Sequence, residues 1–191
     1  ITSISELEKA ASEGKISKLK GFSKTKEENI LKTIQLSKQN KRRYLLGDVY
    51  PLIKKIESRL IRQDSVIRCV VVGSFRRMRE TIGDIDILVS TDEPEKVINF
   101  FVNMPEVVQT KGKGRAKAFV KLRNGIGVDL LVVPEESFGS ASQYFTGNKD
   151  HNISLRNLAI SMDLHLNEWG LYNKEGNKIA GTSEQEIYET L

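Results

Sequence analysis

Three aspartates and one glycine-serine turn carry the chemistry this sequence can do. Gly83-Asp84-Ile85-Asp86 puts two carboxylates two residues apart. On a strand, such positions share a face, so Asp84 and Asp86 would stand side by side among Ile85, Ile87 and Leu88. Two like charges so close repel, and burying them is costly; a divalent cation relieves both penalties. Hard oxygen ligands with only two histidines in the chain (His151 and His165) favour magnesium over zinc. A third acid, Asp129, interrupts the apolar run Val128 to Val133, where a lone carboxylate needs a partner or a metal. If its strand lies beside that of Asp84 and Asp86, the three can hold two metals about 4 Å apart, the arrangement used for in-line phosphoryl displacement. Gly73-Ser74-Phe75-Arg76-Arg77 leaves an apolar strand and offers backbone N–H groups, a hydroxyl and a cation to an anion.

The elements that must position these groups follow from periodicity. Ser3 to Ser12 reads as a short helix, with Ser3 and Glu6 or Ser5 and Glu8 as capping box. A turn containing Gly21 precedes a helix from Glu27 to Lys38, with Ile30, Leu31, Ile34 and Leu36 at helical spacing. A further helix spans about Leu46 to Arg62, with Val49, Leu52, Ile53, Ile56 and Leu60 on one side. Val66 to Val72 and Ile85 to Val89 read as strands, and Thr91 to Met104 as a helix with Asp92 and Glu93 in its first turn. Ala118 to Leu122 and Ile126 to Val133 form a hairpin at Asn124-Gly125. Helices are expected at Ser137 to Tyr144 and Asp150 to Met162. Leu164 to Tyr172 and Lys178-Ile179 suggest a small hairpin around Glu175-Gly176, and Ser183 with Glu186 caps a last helix. The hairpin requires antiparallel pairing among helix-flanked strands, so the fold class is α+β with a mixed sheet.

Composition narrows the setting. The chain has 191 residues, 39% hydrophobic and 29% charged, as in globular proteins. No apolar run approaches the ~20 residues of a membrane span, and no secretory signal is visible near Ile1. The single cysteine, Cys69, excludes an internal disulfide and a Cys-rich zinc site. A cytoplasmic, monomeric protein is expected. The start at Ile1 instead of Met suggests a piece of a longer chain. Residues 1–64 carry 15 Lys and Arg against 8 Asp and Glu, whereas residues 65–191 carry 15 against 17. A basic first third fits a polyanionic partner or simply a solvated helical surface. The basic stretch Lys111, Lys113, Arg115 and Lys117 is equally open to a DNA-tracking role or to a solvated loop.

Gly73-Ser74 with Arg76-Arg77, Gly83-Asp84-x-Asp86 and a later Asp129 together resemble the nucleotidyltransferase palm. Tyr144-Phe145-Thr146-Gly147, then Asn152, Arg156 and Leu166-Asn167-Glu168 before Gly170-Leu171, resemble the thumb of polymerase beta-like (family X) DNA polymerases. Leu19-Lys20-Gly21-Phe22 is similar to the helix-hairpin-helix of the fingers in that family. The resemblance is closest to bacterial and archaeal members and covers nearly the whole chain. It implies fingers at 1–45, a catalytic palm at 46–135 and a thumb contacting the nascent base pair at 136–191.

The resemblance also implies roles. Asp84 and Asp86 would bind two Mg²⁺ ions, with Mn²⁺ able to substitute. Asp129 would bind the catalytic metal and steer the proton of the primer 3′-hydroxyl. Arg43, Gly73, Ser74, Arg77 and Gly83 would hold the dNTP triphosphate. Tyr144, Phe145 and Gly147 would line the sugar pocket, and Asn152 would reach the minor-groove edge of the base. Arg156 would touch the template, while Gly21, Phe22, Lys24 and Lys117 would contact DNA. Met78 stands where the family commonly has Gly, Asn148 where Ser is usual, and Ser23 in place of the second hairpin Gly. Gly127 stands where the vertebrate enzyme has an arginine near the primer end. Neither the family's lyase lobe nor its phosphoesterase domain is matched, so neither lyase nor nuclease activity is expected of this stretch. The implied activity is templated addition of dNTP in short repair gaps. The alternative is a template-independent nucleotidyltransferase acting on RNA or protein.

Overall fold

The computed structural model describes residues 1–39 and 43–191; side chains from 35 to 42, Leu36 among them, lie outside the described residues. Two compact units result, Ile1–Arg42 and Arg43–Leu191.

In the first unit, α1 (Ile4–Ser12) starts where the Ser3 hydroxyl accepts from Glu6 N. The Glu6 carboxylate does not complete the expected box at Ser3; it accepts instead from Thr2 N at 2.9 Å. α2 (Lys24–Gln39) begins three residues earlier than expected, because Ser23 caps it by accepting from Lys26 N at 3.2 Å. Ala11, Ile16 and Ile34 form the small interior. Glu27 is buried with them, and its Oε2 accepts from Ser17 N at 2.7 Å, which ties the inter-helix turn to α2.

The second unit is built on a five-stranded mixed sheet. β2 (Arg68–Val71), β4 (Asp84–Ser90), β7 (Gly127–Val133), β6 (Lys117–Leu122) and β5 (Val107–Lys113) lie in that order. β4 and β7 run parallel; the other pairs are antiparallel. Helices α3 (Leu46–Ile61) and α5 (Pro94–Val102) cover one face with Val49, Ile53, Ile56, Leu60, Val97, Ile98 and Phe101. Ile85, Ile87 and Val89 of β4 and Val128, Leu130 and Val132 of β7 meet them. The period of two then sends Asp84, Asp86 and Leu88, with Asp129 and Val133, to the opposite face. There Val72, Leu88 and Val133 pack on Phe138 and Ala141 of α6 (Phe138–Thr146).

Several elements differ from expectation. The basic stretch is split between two strands: Lys111 and Lys113 end β5, Lys117 opens β6 with Arg115 in the connection between them, and β5 pairs to β6 with two register shifts. The β5 sequence VVQTKGK does not alternate, because an edge strand with both faces largely exposed carries no pattern to read. A two-stranded ribbon, β1 (Tyr44–Leu45) with β3 (Thr81–Ile82), joins Tyr44 and Leu45 to the second unit. α5 starts at Pro94, in its first turn, and not at Thr91. The Thr91 hydroxyl is spent on the Ser65 carbonyl and on Glu93 N.

The carboxy-terminal lobe continues with α7 (Lys149–Ser161), β8 (His165–Asn167), β9 (Gly170–Tyr172), β10 (Lys178–Ala180) and α8 (Glu184–Thr190). The expected single strand from Leu164 to Tyr172 is two strands. Asn167 Oδ1 accepts from Trp169 N at 2.8 Å and Gly170 N at 3.2 Å and turns the chain between them. Leu155, Ala159, Leu166, Leu171, Ala180 and Ile187 make its core. The Ser183–Glu186 capping box is complete. The lobe is clamped to the sheet by Arg76, which reaches Glu184 through both terminal nitrogens (2.5 and 2.7 Å) as well as Ser142 and Thr146.

Candidate active site

The parallel pairing of β4 with β7 sets Asp86 opposite Asp129, with Asp84 opposite Gly127. All three acids therefore sit at one end of two central strands and on one face. Asp86 and Asp129 are half-buried, while Asp84, at the strand tip, is exposed. Burial, then the negative charge of Asp84, pushes the Asp86 carboxyl up to about 6 against the pull of Arg77. Burial and the charges of Asp86 and Asp84 push Asp129 up to about 7, with Lys117 acting in the other direction. Asp129 thus feels the charge of both other acids, and Asp86 that of Asp84. Among the described residues, however, no three acidic, histidine or cysteine side chains are gathered tightly enough to hold a metal as they stand. Repulsion keeps like charges apart unless a cation draws them in.

The glycine-serine turn meets these acids directly. β2 ends at Val71, Val72 N donates to Asp86 O at 2.8 Å, and Gly73 enters the four-residue helix α4 (Gly73–Arg76) at φ +62°. An added Cβ at Gly73 would overlap Asp86 Oδ2. Glycine is thus required twice, for the left-handed backbone and for the carboxylate lying against it. Beside it opens a cleft of about 530 Å³. Gly73, Ser74, Arg77, Asp84 and Asp86 form one wall. Tyr144, Phe145, Gly147, Asn148, Lys149, Asn152, Ile153 and Arg156 form the other.

That second wall is held internally. The Tyr144 and Phe145 rings meet edge to face, with centroids 5.0 Å apart, and the Arg156 guanidinium lies 5.1 Å from the Tyr144 ring centre. Arg77 donates to the Thr146 carbonyl, which joins the two walls. Gly147, at φ +63°, precedes a cis peptide to Asn148. Asn148 Oδ1 accepts from His151 N at 3.1 Å and caps α7, a task serine does by the same chemistry. Asn152 Nδ2 donates to the Tyr144 carbonyl at 2.7 Å, and its Oδ1 accepts from Gln143 Nε2 at 2.8 Å.

The remaining expected residues are placed as follows. Arg43 donates to Thr81 Oγ1 at 2.9 Å and to the Thr81 carbonyl, near Gly83. Lys117 opens β6 with its ammonium 4.7 Å from the centre of the Phe119 ring, and Phe119 is the cross-strand neighbour of Asp129. Gly21, Phe22 and Lys24 belong to the first unit: Gly21 turns at φ +90°, its carbonyl accepts from Lys26 Nζ at 2.8 Å, and Phe22 is exposed. Two contributors escaped the sequence. Gln143, buried, orients Asn152 across a helix boundary that no spacing rule spans. Glu184, the partner of Arg76, is 108 residues away in the chain.

Residues 47–119 match the model of the DNA polymerase beta palm, and residues 141–191 that of the DNA polymerase beta thumb. The chain is 32% identical over 185 residues to the DNA polymerase/3'-5' exonuclease PolX of Bacillus subtilis, covering 95% of this chain and 32% of that protein. It is 27% identical over 152 residues to DNA polymerase lambda of Rattus norvegicus, covering 64% of this chain and 26% of that protein. The chain thus spans about a third or less of these curated relatives. In fold it is similar to a Leishmania infantum polymerase beta in a ternary complex, with a TM-score of 0.69 at 18% identity over 100% of this chain and 84% of that one. With the palm and thumb models matched in succession and a PolX relative matched along nearly the whole chain, the chain belongs to the polymerase beta-like family X of DNA polymerases.

Proposed function

We propose that this chain is the nucleotide-transferring part of a DNA-directed DNA polymerase that adds dNTPs to primer 3′ ends in short repair gaps. The observation that carries the reading is that Asp84 and Asp86, with Asp129 as register partner of Asp86 on the next strand, line a cleft whose far wall is Tyr144, Phe145, Gly147, Asn152 and Arg156: Asp84 and Asp86 stand in the cleft wall and Asp129 beside them in the sheet.

The donor set fits magnesium. Three carboxylates without histidine or thiol suit a hard cation, and the raised Asp86 and Asp129 mark charge that lacks compensation. Asp84 and Asp86 would hold two Mg²⁺ ions, and Asp129 the one at the primer; Mn²⁺ would fit the same oxygens. When bound, the ions supply electrophilic stabilisation of charge on the transferring phosphate.

The chain's own residues supply the rest. Asp129, on the strand beside Asp86, would stand next to the primer-side metal and receive or steer the proton of the 3′-hydroxyl. Ser74, Arg77 and the Gly73 backbone offer donors to the phosphates, and Arg43 and Gly83 lie on the same side. Tyr144 and Phe145 would bound the sugar pocket, their backbone discriminating against a 2′-hydroxyl. Asn152 keeps one amide hydrogen for a base edge once Gln143 and Tyr144 have been satisfied. Arg156, braced on Tyr144, would reach the template. In this reading residues 1–45 are fingers that grip the DNA backbone through the turn of Gly21, Phe22 and Lys24, residues 46–135 the palm and residues 136–191 the thumb. Lys117 would meet the DNA backbone at the palm edge.

The test is incorporation on gapped DNA carrying each of the four templating bases. Incorporation that follows the template is expected. Addition indifferent to the template would overturn the reading in favour of a template-independent transferase.

A further inference from the structure

We propose that Gln143, which does not line the cleft, is a positioning residue that fixes which amide atom Asn152 presents to the incoming base; this rests on the polymerase reading above. In the minor groove every base offers an acceptor at the same place, N3 of a purine or O2 of a pyrimidine. One asparagine serves all of them only if its amide nitrogen, a donor, faces that edge. Flipped, the same side chain sets its oxygen against the base acceptor and repels it. The asparagine amide is nearly symmetric in shape, so its orientation must come from its neighbours.

Two neighbours supply it. Asn152 Nδ2 donates to the Tyr144 carbonyl at 2.7 Å, and Asn152 Oδ1 accepts from Gln143 Nε2 at 2.8 Å. A flip of Asn152 would put oxygen against oxygen at Tyr144 and nitrogen against nitrogen at Gln143. Gln143 is itself held. It lies in the last turn of α6 with 3% of its surface exposed, and the Tyr188 hydroxyl of α8 is a further hydrogen-bond partner of its side chain. Its backbone carbonyl accepts from Gly147 N at 3.1 Å, at the turn that carries the chain on to Asn152. Burying an amide is costly unless it is paired, and an apolar side chain of similar size would fill the same space without that cost. What the amide adds is a donor aimed at the oxygen of Asn152.

The test measures kcat/KM for dATP and for 3-deaza-dATP, which carries C–H in place of the N3 acceptor, opposite thymine in gapped DNA. Wild type is expected to favour dATP about tenfold, the worth of one hydrogen bond to the base edge. Asn152→Ala should lose this preference. So should Gln143→Met, which keeps the volume but donates nothing, and Gln143→Asn, whose amide is one methylene too short to reach. Adding Gln143→Met to Asn152→Ala should lower kcat/KM no further, because Gln143 acts through Asn152. A glutamine that only filled space would, when replaced, slow both nucleotides alike and leave the tenfold preference intact. That result in either variant, with a wild-type circular dichroism spectrum, overturns the inference, as does a wild type indifferent to the analogue. Addition of dATP at equal rates opposite all four templating bases would instead overturn the polymerase reading.

Discussion

Replacing Asp129 with asparagine should make the metal-free protein more stable at pH 8, while destroying its activity. In the folded state Asp129 and Asp86 bind protons up to about 7 and about 6, whereas the unfolded chain loses them near 3.8. The folded state therefore holds more protons between about pH 4 and pH 7, and stability falls as pH rises through that window, then levels off. Three pH units at Asp129 correspond to ~4 kcal/mol, but solvent reaching the half-open carboxyl screens much of it, leaving ~1–2 kcal/mol. Asparagine keeps the shape and removes this penalty. Thermal unfolding in chelator, followed by the fluorescence of Trp169, the single tryptophan, which lies in the second unit, reads the effect directly. At pH 8 the variant should melt ~2–6 °C higher than wild type, and at pH 4 the gap should vanish. A variant no more stable at pH 8, or one equally stabilised at both pH values, would refute the reasoning.

Gly73→Ala should cost ~1–2 kcal/mol for the left-handed backbone and lower incorporation at least ~100-fold, because Asp86 must move; equilibrium unfolding and single-turnover incorporation measure the two. Gly139→Ala should destabilise by ~2–3 kcal/mol in a urea melt, since an added Cβ would overlap the Ser183 backbone, which no rotamer change can clear. Met78→Gly should stabilise by ~0.5–1 kcal/mol, because Met78 sits at positive φ with its side chain exposed, so relief of strain outweighs glycine's added freedom; a Tm no higher than wild type would contradict this.

The site was legible where it depends on strand alternation. Asp84 and Asp86 had to share a face, and apolar Val128 and Leu130 forced Asp129 to the side opposite them. That Asp86 and Asp129 are register partners depends on which strands pair, and periodicity does not encode pairing. β5 escaped because an exposed edge strand is free to be polar on both faces. The split of residues 164–172 into β8 and β9 depends on one side-chain-to-backbone turn at Asn167, within a run whose apolar content resembles a single strand. Gln143 and Glu184 escaped for a related reason: each acts through a partner distant along the chain or across a helix break, and a buried amide or a salt bridge leaves no periodic trace. The family resemblance named the remaining cleft residues except Lys149 and Ile153, but not the hydrogen bonds that orient them.

The central claim is that Asp84, Asp86 and Asp129 converge on shared metal ions at the primer end. Its most direct test is a crystal structure with gapped DNA, an unreactive dNTP analogue and Mn²⁺, with anomalous scattering locating the metal. We predict two manganese peaks about 4 Å apart, Asp84 and Asp86 touching both and Asp129 touching the one nearer the 3′-hydroxyl. Manganese bound to the triphosphate alone, with Asp129 outside coordination distance, would contradict the account.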